Sequence, residues 1–331
     1  MLTHRQRIEN ALALKENDRT PYSMWMHFPN RDRSPRRLAE LALGNQRKYD
    51  LDFIKFMPFG MYTTIDLGVD VDVFPGFEKA PVQHEPIIKD VKDFDRLRPV
   101  CGTSGEYAIV LEAQRIVMEN LTEHVPFLQT VFSPATTLAK ICSPTALVKF
   151  MNEDPARVHR VLEMVTDTTI QFARASVALG ADGVFFATQL SGRKTMSTEN
   201  HNEFVRKYDL QILNAIKNDT WFNVLHMHGA EVRIDEVQDY PVQGLSWHDR
   251  DDGPSMDEVR KYSTKAFVGG LSWGENWLTK TEDQVAAEVR EVCGRPGVIV
   301  GPGCVIEPHT PEKYLELVHK TVLECAKSCK K

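Results

Sequence analysis

The sequence predicts an α/β protein, a single (β/α)8 barrel of the TIM type that spans residues 1–331 as one domain. Eight short apolar segments recur along the chain, and helical segments separate nearly all of them. Strands that alternate with helices pair in parallel through right-handed crossovers, and a chain of this length has room for eight such units. The alternative is an open, doubly wound sheet, which usually carries a glycine-rich phosphate loop after its first strand; no such loop is present.

The predicted strands are apolar runs that end at, or just before, a polar residue, a glycine or a proline. They lie at residues 22–28, 52–57, 125–132, 183–188, 222–228, 244–247, 266–270 and 298–300. Thr3 and Gln6 have the spacing of a capping box that opens the first helix, and Thr310, followed by Pro311, caps the last. Further helices are predicted at residues 38–43 (where Gly44 is expected to stop the helix), 105–123, 155–179, 199–217, 255–262 and 281–293.

Residues 59–100 interrupt this rhythm, since they contain four prolines and few periodic runs. Long irregular stretches within a compact domain are often functional loops. We therefore expect residues 59–100 to form a lid or insertion over one end of the barrel, within the same domain.

The charge and amino-acid composition restrict the classes of molecule that this protein is expected to bind. The net charge is −6, from 40 basic and 46 acidic residues, and no basic run is long enough to follow a nucleic-acid backbone. No apolar stretch approaches the length of a membrane span, and the polar N-terminus does not resemble a signal peptide. Six scattered cysteines without a Cys-x-x-Cys motif indicate free thiols in a reducing cytoplasm. We expect a cytoplasmic enzyme with a small-molecule substrate; a homodimer is left open.

In a barrel of this kind the active site lies at the carboxyl ends of the strands. Reactive side chains cluster at those predicted ends: His27, Lys55, Gln129, Thr188, Gln189, His226, His228, His248, Asp249, Ser272 and Cys304 with Glu307. Of these, His27, Lys55 and Gln189 are predicted to bind the substrate. For His27, a rim histidine without a role in binding is the alternative.

The strongest candidates for chemistry are two histidines at the end of the fifth predicted strand. His226 and His228 are two residues apart and therefore face the same side of a strand, and Gly229 allows a sharp turn after them. Cys304, after the eighth strand, adds a thiol. A catalytic zinc ion takes three protein ligands of these types and keeps one position open. The alternative is that both histidines bond to backbone and that Cys304 is a small buried thiol beside Gly303.

His248 and Asp249 follow the sixth predicted strand and are the predicted catalytic pair. They could supply a fourth metal ligand or an acid/base pair, and a solvated loop is the alternative.

Three motifs resemble the uroporphyrinogen decarboxylase superfamily, and the resemblance covers nearly the whole chain. It implies a (β/α)8 barrel with its site at the C-terminal mouth. The motifs are Arg7, Ala11-Leu12 and Asp18-Arg19-Thr20-Pro21; then Leu179-Gly180-Ala181-Asp182-Gly183; then Gly301-Pro302-Gly303-Cys304-Val305-Ile306-Glu307-Pro308-His309-Thr310-Pro311.

The residues with which this family's decarboxylases bind and decarboxylate uroporphyrinogen are absent from this sequence. The family's carboxylate-binding Arg-Gln-Ala-Gly-Arg segment corresponds to residues 27–31, which read His-Phe-Pro-Asn-Arg. Its catalytic Asp falls near Gly76, and its late histidine falls at Cys304. These departures imply that uroporphyrinogen is not the substrate.

The cobalamin-linked methyltransferases of the superfamily resemble this chain more closely at the site. Their zinc-binding His-x-Cys and later Gly-Cys correspond to His226, His228 and Cys304, with His228 in place of a cysteine. A neutral imidazole in place of a thiolate would make the metal more Lewis acidic. The resemblance implies a zinc cofactor and a methyl-corrinoid co-substrate, which a separate corrinoid carrier protein would normally bring.

The leading hypothesis is thus a zinc-dependent methyltransferase that moves a methyl group between a corrinoid, or a small methyl donor, and a metal-activated thiol. A second hypothesis is a decarboxylase or lyase for a small carboxylated substrate, held by Arg31, Arg33 or Lys55, with His248 and Asp249 as acid and base. A third is a non-enzymatic binder of a tetrapyrrole or metal.

Overall fold

The computed structural model describes residues 1–76, 79 and 81–328 and has an α/β fold centred on a seven-stranded parallel sheet. The described strands are β1 (Ile54–Lys55), β2 (Val71–Asp72), β3 (Val82–Gln83), β4 (Phe127–Phe132), β5 (Gly183–Thr188), β6 (Val224–Met227), β7 (Gly244–Ser246), β8 (Ala266–Leu271) and β9 (Val298–Pro302). The parallel sheet has the order β1-β4-β5-β6-β7-β8-β9, so neighbouring strands follow one another along the chain. Strands β2 and β3 form a separate antiparallel hairpin.

Helices connect the strands and pack on the sheet and on one another; for example, the helix Glu282–Val292 contacts both β8 and β9. A π-helical turn, Asn202–Arg206, joins two of them. No helix in the described part of the chain is both long and apolar enough to cross a bilayer. The helices are α1 (His4–Leu12), α2 (Pro35–Tyr49), α3 (Gly105–Asn120), α4 (Pro134–Cys142), α5 (Pro144–Glu153), α6 (Pro155–Ala178), α7 (Thr198–His201), α8 (Lys207–Ile216), α9 (Met256–Arg260), α10 (Glu275–Leu278), α11 (Glu282–Val292) and α12 (Glu312–Ser328).

Seven of the eight predicted strands appear in this sheet, but the first, at residues 22–28, is not a continuous strand. It forms only two isolated parallel bridges, Tyr22 to Val300 and Met26 to Ile306. Backbone bonds nevertheless tie it to both edges: Ser23 N–H donates to the Val300 carbonyl, and Asp52 N–H donates to the Tyr22 carbonyl. The segment therefore lies between the two edge strands of the sheet without forming a regular ladder with either.

Residues 22–26 form no regular ladder with residues 300–306 because the second segment is two residues longer than the first. Val300 to Ile306 spans six positions, whereas Tyr22 to Met26 spans four. Pro302 has no N–H to donate to a ladder. The intervening residues 303–305 form a turn that is held at each end by a backbone bond, Gly303 N–H to the Leu271 carbonyl and Ile306 N–H to the Trp25 carbonyl. This turn carries Cys304 out of the sheet at the carboxyl ends of the strands.

The helix predicted at residues 38–43 is longer than expected. Gly44 does not stop it, because α2 continues to Tyr49 and ends at Asp50, a residue in the left-handed conformation. Space is open around Gly44, and the apolar face of α2 is buried on both sides of it, so packing outweighs the low helix propensity of glycine. Helices α4 and α5 were not predicted; each has a proline at its first position.

Residues 59–100 contain the β2–β3 hairpin and two 3-10 helices, Ile65–Leu67 and Val91–Arg96. Three positions of this stretch, 77, 78 and 80, lie outside the described residues. Val69, Ile88 and Phe94 are buried in a hydrophobic cluster shared with α4, α5 and α6. The stretch is thus anchored at several points, and its function as a lid stays a prediction.

A buried ionic network fixes the N-terminal helix to the sheet, at the end opposite Cys304. The fully buried Asp52 accepts hydrogen bonds from His4 Nδ1 (3.0 Å), from the guanidinium groups of Arg7 (3.3 Å) and Arg19, and from Tyr22 N–H (3.0 Å). Since Arg7 and Arg19 are themselves almost fully buried, Asp52, together with Asp18 on Arg7 and Asp50 on Arg19, neutralises charge that water hardly reaches.

Asp52→Ala should therefore destabilise the protein strongly, because it removes the fully buried carboxylate that both guanidinium groups share and leaves each with one, more exposed, partner, Asp18 for Arg7 and Asp50 for Arg19. We expect a loss of about 3–5 kcal/mol in the free energy of unfolding, measured by urea denaturation. The control Glu40→Ala removes an exposed partner of Arg36 and should leave the urea midpoint unchanged. Equal midpoints for the two variants would contradict the assigned role of Asp52.

Candidate metal centre

Four potential metal ligands meet at the carboxyl ends of the strands. One ligand atom from each of His226, His228, His248 and Cys304 lies within 4.8 Å of all the others. His226 is the penultimate residue of β6, His228 follows β6 directly, His248 lies two residues beyond β7, and Cys304 lies in the 303–305 turn after β9. The structure thus brings together the three predicted zinc ligands and adds His248 to them.

The separations match those of a metal site. His248 Nε2 lies 3.1 Å from His228 Nδ1, which lies 3.7 Å from Cys304 Sγ. A tetrahedral zinc ion with bonds of about 2.0–2.3 Å holds its ligand atoms roughly 3.3–3.7 Å apart. Only small side-chain movements would be needed to bring these atoms onto one ion.

Hydrogen bonds outside the cluster orient two of the imidazole rings. His226 Nδ1 lies 3.2 Å from the Ser246 hydroxyl, which leaves Nε2 for the cluster. His248 Nδ1 lies 2.6 Å from the Asp252 carboxylate, and because an ionised carboxylate only accepts, Nδ1 carries the proton. In neutral His248 the lone pair is consequently on Nε2, which faces His228. A carboxylate behind a histidine is the usual outer partner of a metal ligand.

Close packing supports this arrangement. The indole ring of Trp273 lies over His248, with ring centroids 4.4 Å apart, and 5.6 Å from His228. A Cβ on Gly303 would lie only 3.3 Å from the His248 Cα and 3.4 Å from the Trp273 ring. Gly303 therefore allows the cysteine-bearing turn to approach the His248 strand, and Gly229, at φ +99°, allows the predicted turn after His228.

Burial determines the protonation of the cluster. Desolvation, with the neighbouring histidines as a smaller cause, lowers the pKa of His226 well below its ordinary value and that of His228 to about 4. Desolvation also lowers the pKa of His248, although Asp252 opposes this shift, and it raises the pKa of the Cys304 thiol to about 11. Near neutral pH the imidazoles are thus unprotonated and ready to bind a metal, whereas Cys304 must first lose a proton.

His248 and Asp249 were predicted to act as a pair, but in the structure the Asp249 side chain is not the carboxylate that contacts His248. The Asp249 carboxylate instead accepts a bond from Gly270 N–H (3.0 Å), and burial raises its pKa to about 6. The carboxylate on His248 belongs to Asp252, because three successive N–H groups, at residues 251–253, bond to the His248 carbonyl and turn the chain back. The sequence prediction missed Asp252 and Ser246.

Of the predicted substrate-binding residues, Lys55 lies near the cluster, and His27 lies near Lys55. The charge of Lys55 is close enough to lower the pKa of Cys304 and of His226, and Lys55 also contributes to the low pKa of His27, after desolvation. Gln189 has an exposed side chain, and its N–H donates to Thr136 (2.9 Å), so its contact with a substrate stays a prediction. None of the five described cysteines forms a disulfide; Cys329 lies outside the described residues.

Comparison with known proteins identifies the family. The uroporphyrinogen decarboxylase (URO-D) family model matches residues 3–325, and the chain belongs to this family. The methylcobamide:CoM methyltransferase MtbA of Methanosarcina acetivorans is 22% identical, over 99% of this chain and 98% of its own length. The methylcobamide:CoM methyltransferase MtaA of Methanosarcina barkeri is 23% identical over 86% and 83%, and the uroporphyrinogen decarboxylase of Syntrophotalea carbinolica is 25% identical over 74% and 73%.

A solved structure shares the fold over the full length. It is a methyltransferase from Methanosarcina mazei, with a TM-score of 0.85 and 20% identity, and the match covers 100% of both chains. Since the family and these relatives are enzymes, this chain is an enzyme.

The pKa of Cys304 predicts slow alkylation. In chelator-treated protein at pH 7 roughly one Cys304 thiol in ten thousand is a thiolate, so iodoacetamide should modify it slowly, about tenfold faster per unit rise in pH. Exposed Cys101 is the internal reference, because hydrogen bonds from Thr103 lower its pKa. Peptide mass spectrometry would measure both rates, and comparable rates at pH 7 would contradict the protonated state of the partly buried Cys304.

Proposed function

We propose that this enzyme is a methyltransferase that moves a methyl group between a methyl-corrinoid and the sulfur of a small thiol, with zinc held by His226, His228 and Cys304. The observation that carries the proposal is the convergence of these ligand atoms at the carboxyl ends of the strands. The relatives named as methylcobamide:CoM methyltransferases, which align over most of the chain, support the corrinoid and the thiol.

The donor set favours zinc over harder cations. Imidazole nitrogen and thiolate sulfur suit zinc, whereas magnesium and calcium prefer oxygen ligands. Zinc bound here would act as a Lewis acid that lowers the pKa of an acceptor thiol, so that the acceptor is a thiolate near neutral pH.

We assign three protein ligands rather than four, because a catalytic site needs an open position. His248 then lies beside that position, with its lone pair on Nε2 and Asp252 behind it. In this arrangement Nε2 accepts the proton of the incoming thiol, and Asp252 stabilises the resulting imidazolium. Trp273 keeps water away from one side of the rings.

The sheet is proposed to close into a barrel in which residues 21–26 fill the place of the eighth strand, and the site lies at the mouth of this barrel. The backbone bonds of residues 21–26 to both edge strands support this. Residues 59–100 are the proposed lid, and Asn30 already bonds to the Gly76 carbonyl (3.0 Å), which connects the stretch to the loop after His27. A closed lid would exclude water during methyl transfer. A separate carrier protein would present the corrinoid.

The decarboxylase alternative is weaker on two counts. Arg33, one of its proposed carboxylate-binding residues, is already paired with Glu106. Gly76 stands where the family's decarboxylases are expected to have their catalytic Asp.

The metal assignment predicts a pH-dependent affinity. Metal binding must displace one proton from Cys304, whose pKa is about 11, and none from the neutral imidazoles. Affinity for cobalt(II) or zinc should therefore rise by about tenfold per pH unit between pH 6 and 8. Cobalt(II) should show a thiolate charge-transfer band that Cys304→Ser removes, and His226→Ala should weaken binding.

His228→Cys should retain the metal, because it restores the ligand of the resembling methyltransferases. Cys142→Ser, at a buried cysteine in α4, is the matched control and should leave both the band and the affinity unchanged. Metal loss in His228→Cys together with retention in Cys304→Ser would refute the ligand assignment.

The activity itself can be tested with methylcobalamin and a small thiol. Zinc-loaded wild type should convert methylcobalamin to its demethylated form, and Cys304→Ser or His226→Ala should lower kcat/KM by at least about a hundredfold, since each removes a ligand. Uroporphyrinogen should not be converted. Decarboxylation of uroporphyrinogen without methyl transfer to any thiol would contradict the proposed function.

A further inference from the structure

The tryptophan that packs on the histidine cluster has no polar anchor of its own. Trp273 lies in the segment 272–276, which leads from β8 into α10, and its ring centroid is 4.4 Å from that of His248. The indole N–H is buried, and within the described residues it has no hydrogen-bond partner. The position of the indole ring therefore depends on the backbone that carries it.

Asp251 holds that backbone with both oxygens of its carboxylate. Oδ2 accepts a hydrogen bond from the Trp273 N–H (3.3 Å), and Oδ1 accepts one from the side-chain amide of Asn276 (2.9 Å). Asp251 is itself fixed to the histidine, because its own N–H donates to the His248 carbonyl (3.2 Å). Since the next residue, Asp252, bonds to His248 Nδ1, two consecutive carboxylates hold the imidazole and the indole that covers it.

The segment 272–276 is also attached to the turn that carries Cys304. Gly274 N–H donates to the Val305 carbonyl (3.1 Å), and Gly274 has φ +56°, a conformation that favours glycine. The segment thus connects the cysteine-bearing turn to Asp251. A displacement of this segment would consequently move the indole ring and the cysteine-bearing turn together.

The hydrogen bond and the ring contact restrict the His248 side chain in different ways. The bond from Nδ1 to Asp252 selects the tautomer, but the imidazole can still rotate about that bond. The indole of Trp273 opposes this rotation, because the two ring planes are 38° apart at a centroid distance of 4.4 Å. Nε2 is thereby held toward the position that the incoming thiol takes in the proposed function. A misplacement of about 1 Å in such an alignment can cost roughly a hundredfold in rate.

We propose that Asp251 is a positioning residue for the transfer reaction: it holds Trp273 against His248, so that the imidazole stays aligned and shielded from water. The identity of the reaction rests on the proposed function, whereas the contacts that carry the inference lie within the protein itself. Asp251 acts through the tryptophan and does not touch a reacting atom. Its loss should therefore change the mobility and hydration of His248 without unfolding the protein.

Hydrogen exchange at His248 tests this role without metal or turnover. In chelator-treated protein, NMR should show that the Nδ1 proton of His248, assigned with His248→Gln, exchanges slowly with water, because Asp252 accepts it and Trp273 covers the ring. Asp251→Ala and Trp273→Ala should each speed this exchange about tenfold or more. Asp251→Asn keeps an oxygen for the Trp273 N–H and should restore most of the protection.

Two comparisons separate positioning from general loosening of the loop. The indole N–H of Trp247 donates to the Pro254 carbonyl (2.6 Å) and reports the loop that contains Asp251, so its exchange should stay unchanged. Asp257→Ala is the matched control, because it removes an exposed carboxylate at the start of α9, and it should leave both protons as in wild type. Equal acceleration of the two protons in Asp251→Ala, or no acceleration at His248, would overturn the proposal. If Asp251→Ala does not fold, Asp251→Ser takes its place, since its shorter side chain has one oxygen instead of two.

A double-mutant cycle tests whether Asp251 acts through Trp273. In zinc-loaded enzyme Asp251→Ala and Trp273→Ala should each lower kcat for methyl transfer about tenfold or more with little change in KM, and the double variant should be no slower than Trp273→Ala alone. Losses that multiply in the double variant would mean that Asp251 acts by another route, and the proposal would be wrong. Faster His248 exchange in variants of a protein without methyl transfer would support the positioning role and count against the proposed function.

Discussion

Parallel pairing brings the carboxyl end of every strand in the sheet to the same edge, and the candidate site depends on this constraint. His226, His228, His248 and Cys304 are up to 78 residues apart in the chain, yet each lies at or just beyond the end of a strand. The pairing of β6 with β7 sets the distance between the histidine-bearing ends. Cys304 reaches them because two extra residues after Pro302 take the chain out of its ladder, and the bonds at Gly303 and Ile306 hold the resulting turn.

Desolvation gives the groups at this edge their chemical character. Three imidazoles in a buried cluster stay neutral, since each positive charge would be costly there and would repel the next. The same loss of water keeps the Cys304 thiol protonated until a cation replaces its proton. Lys55 and Lys140 follow the same rule, because burial lowers the pKa of each ammonium group to about 7. The cluster of neutral imidazoles and one thiol is therefore suited to a soft cation.

The sequence predicted the parallel α/β architecture and the convergence of His226, His228 and Cys304, because both depend on short-range periodicity. β5 was predicted with its observed bounds, since its apolar run is continuous and ends at a polar residue. The predictions of a continuous first strand and of a helix end at Gly44 were wrong. They depend on the register after Pro302 and on the packing around Gly44, which are properties of the folded chain. Asp252 could not be predicted, because it reaches His248 through a loop turn and not through the periodicity of a strand or helix.

The central claim is that His226, His228 and Cys304 hold zinc with one position open to a thiol. X-ray absorption spectroscopy at the zinc edge tests it most directly. The account predicts one sulfur at about 2.3 Å and nitrogen at about 2.0–2.1 Å, with a second sulfur on addition of a thiol acceptor. In Cys304→Ser the first sulfur should be absent. A zinc ion without sulfur in the wild-type protein, or a sulfur that remains in Cys304→Ser without added thiol, would contradict the claim.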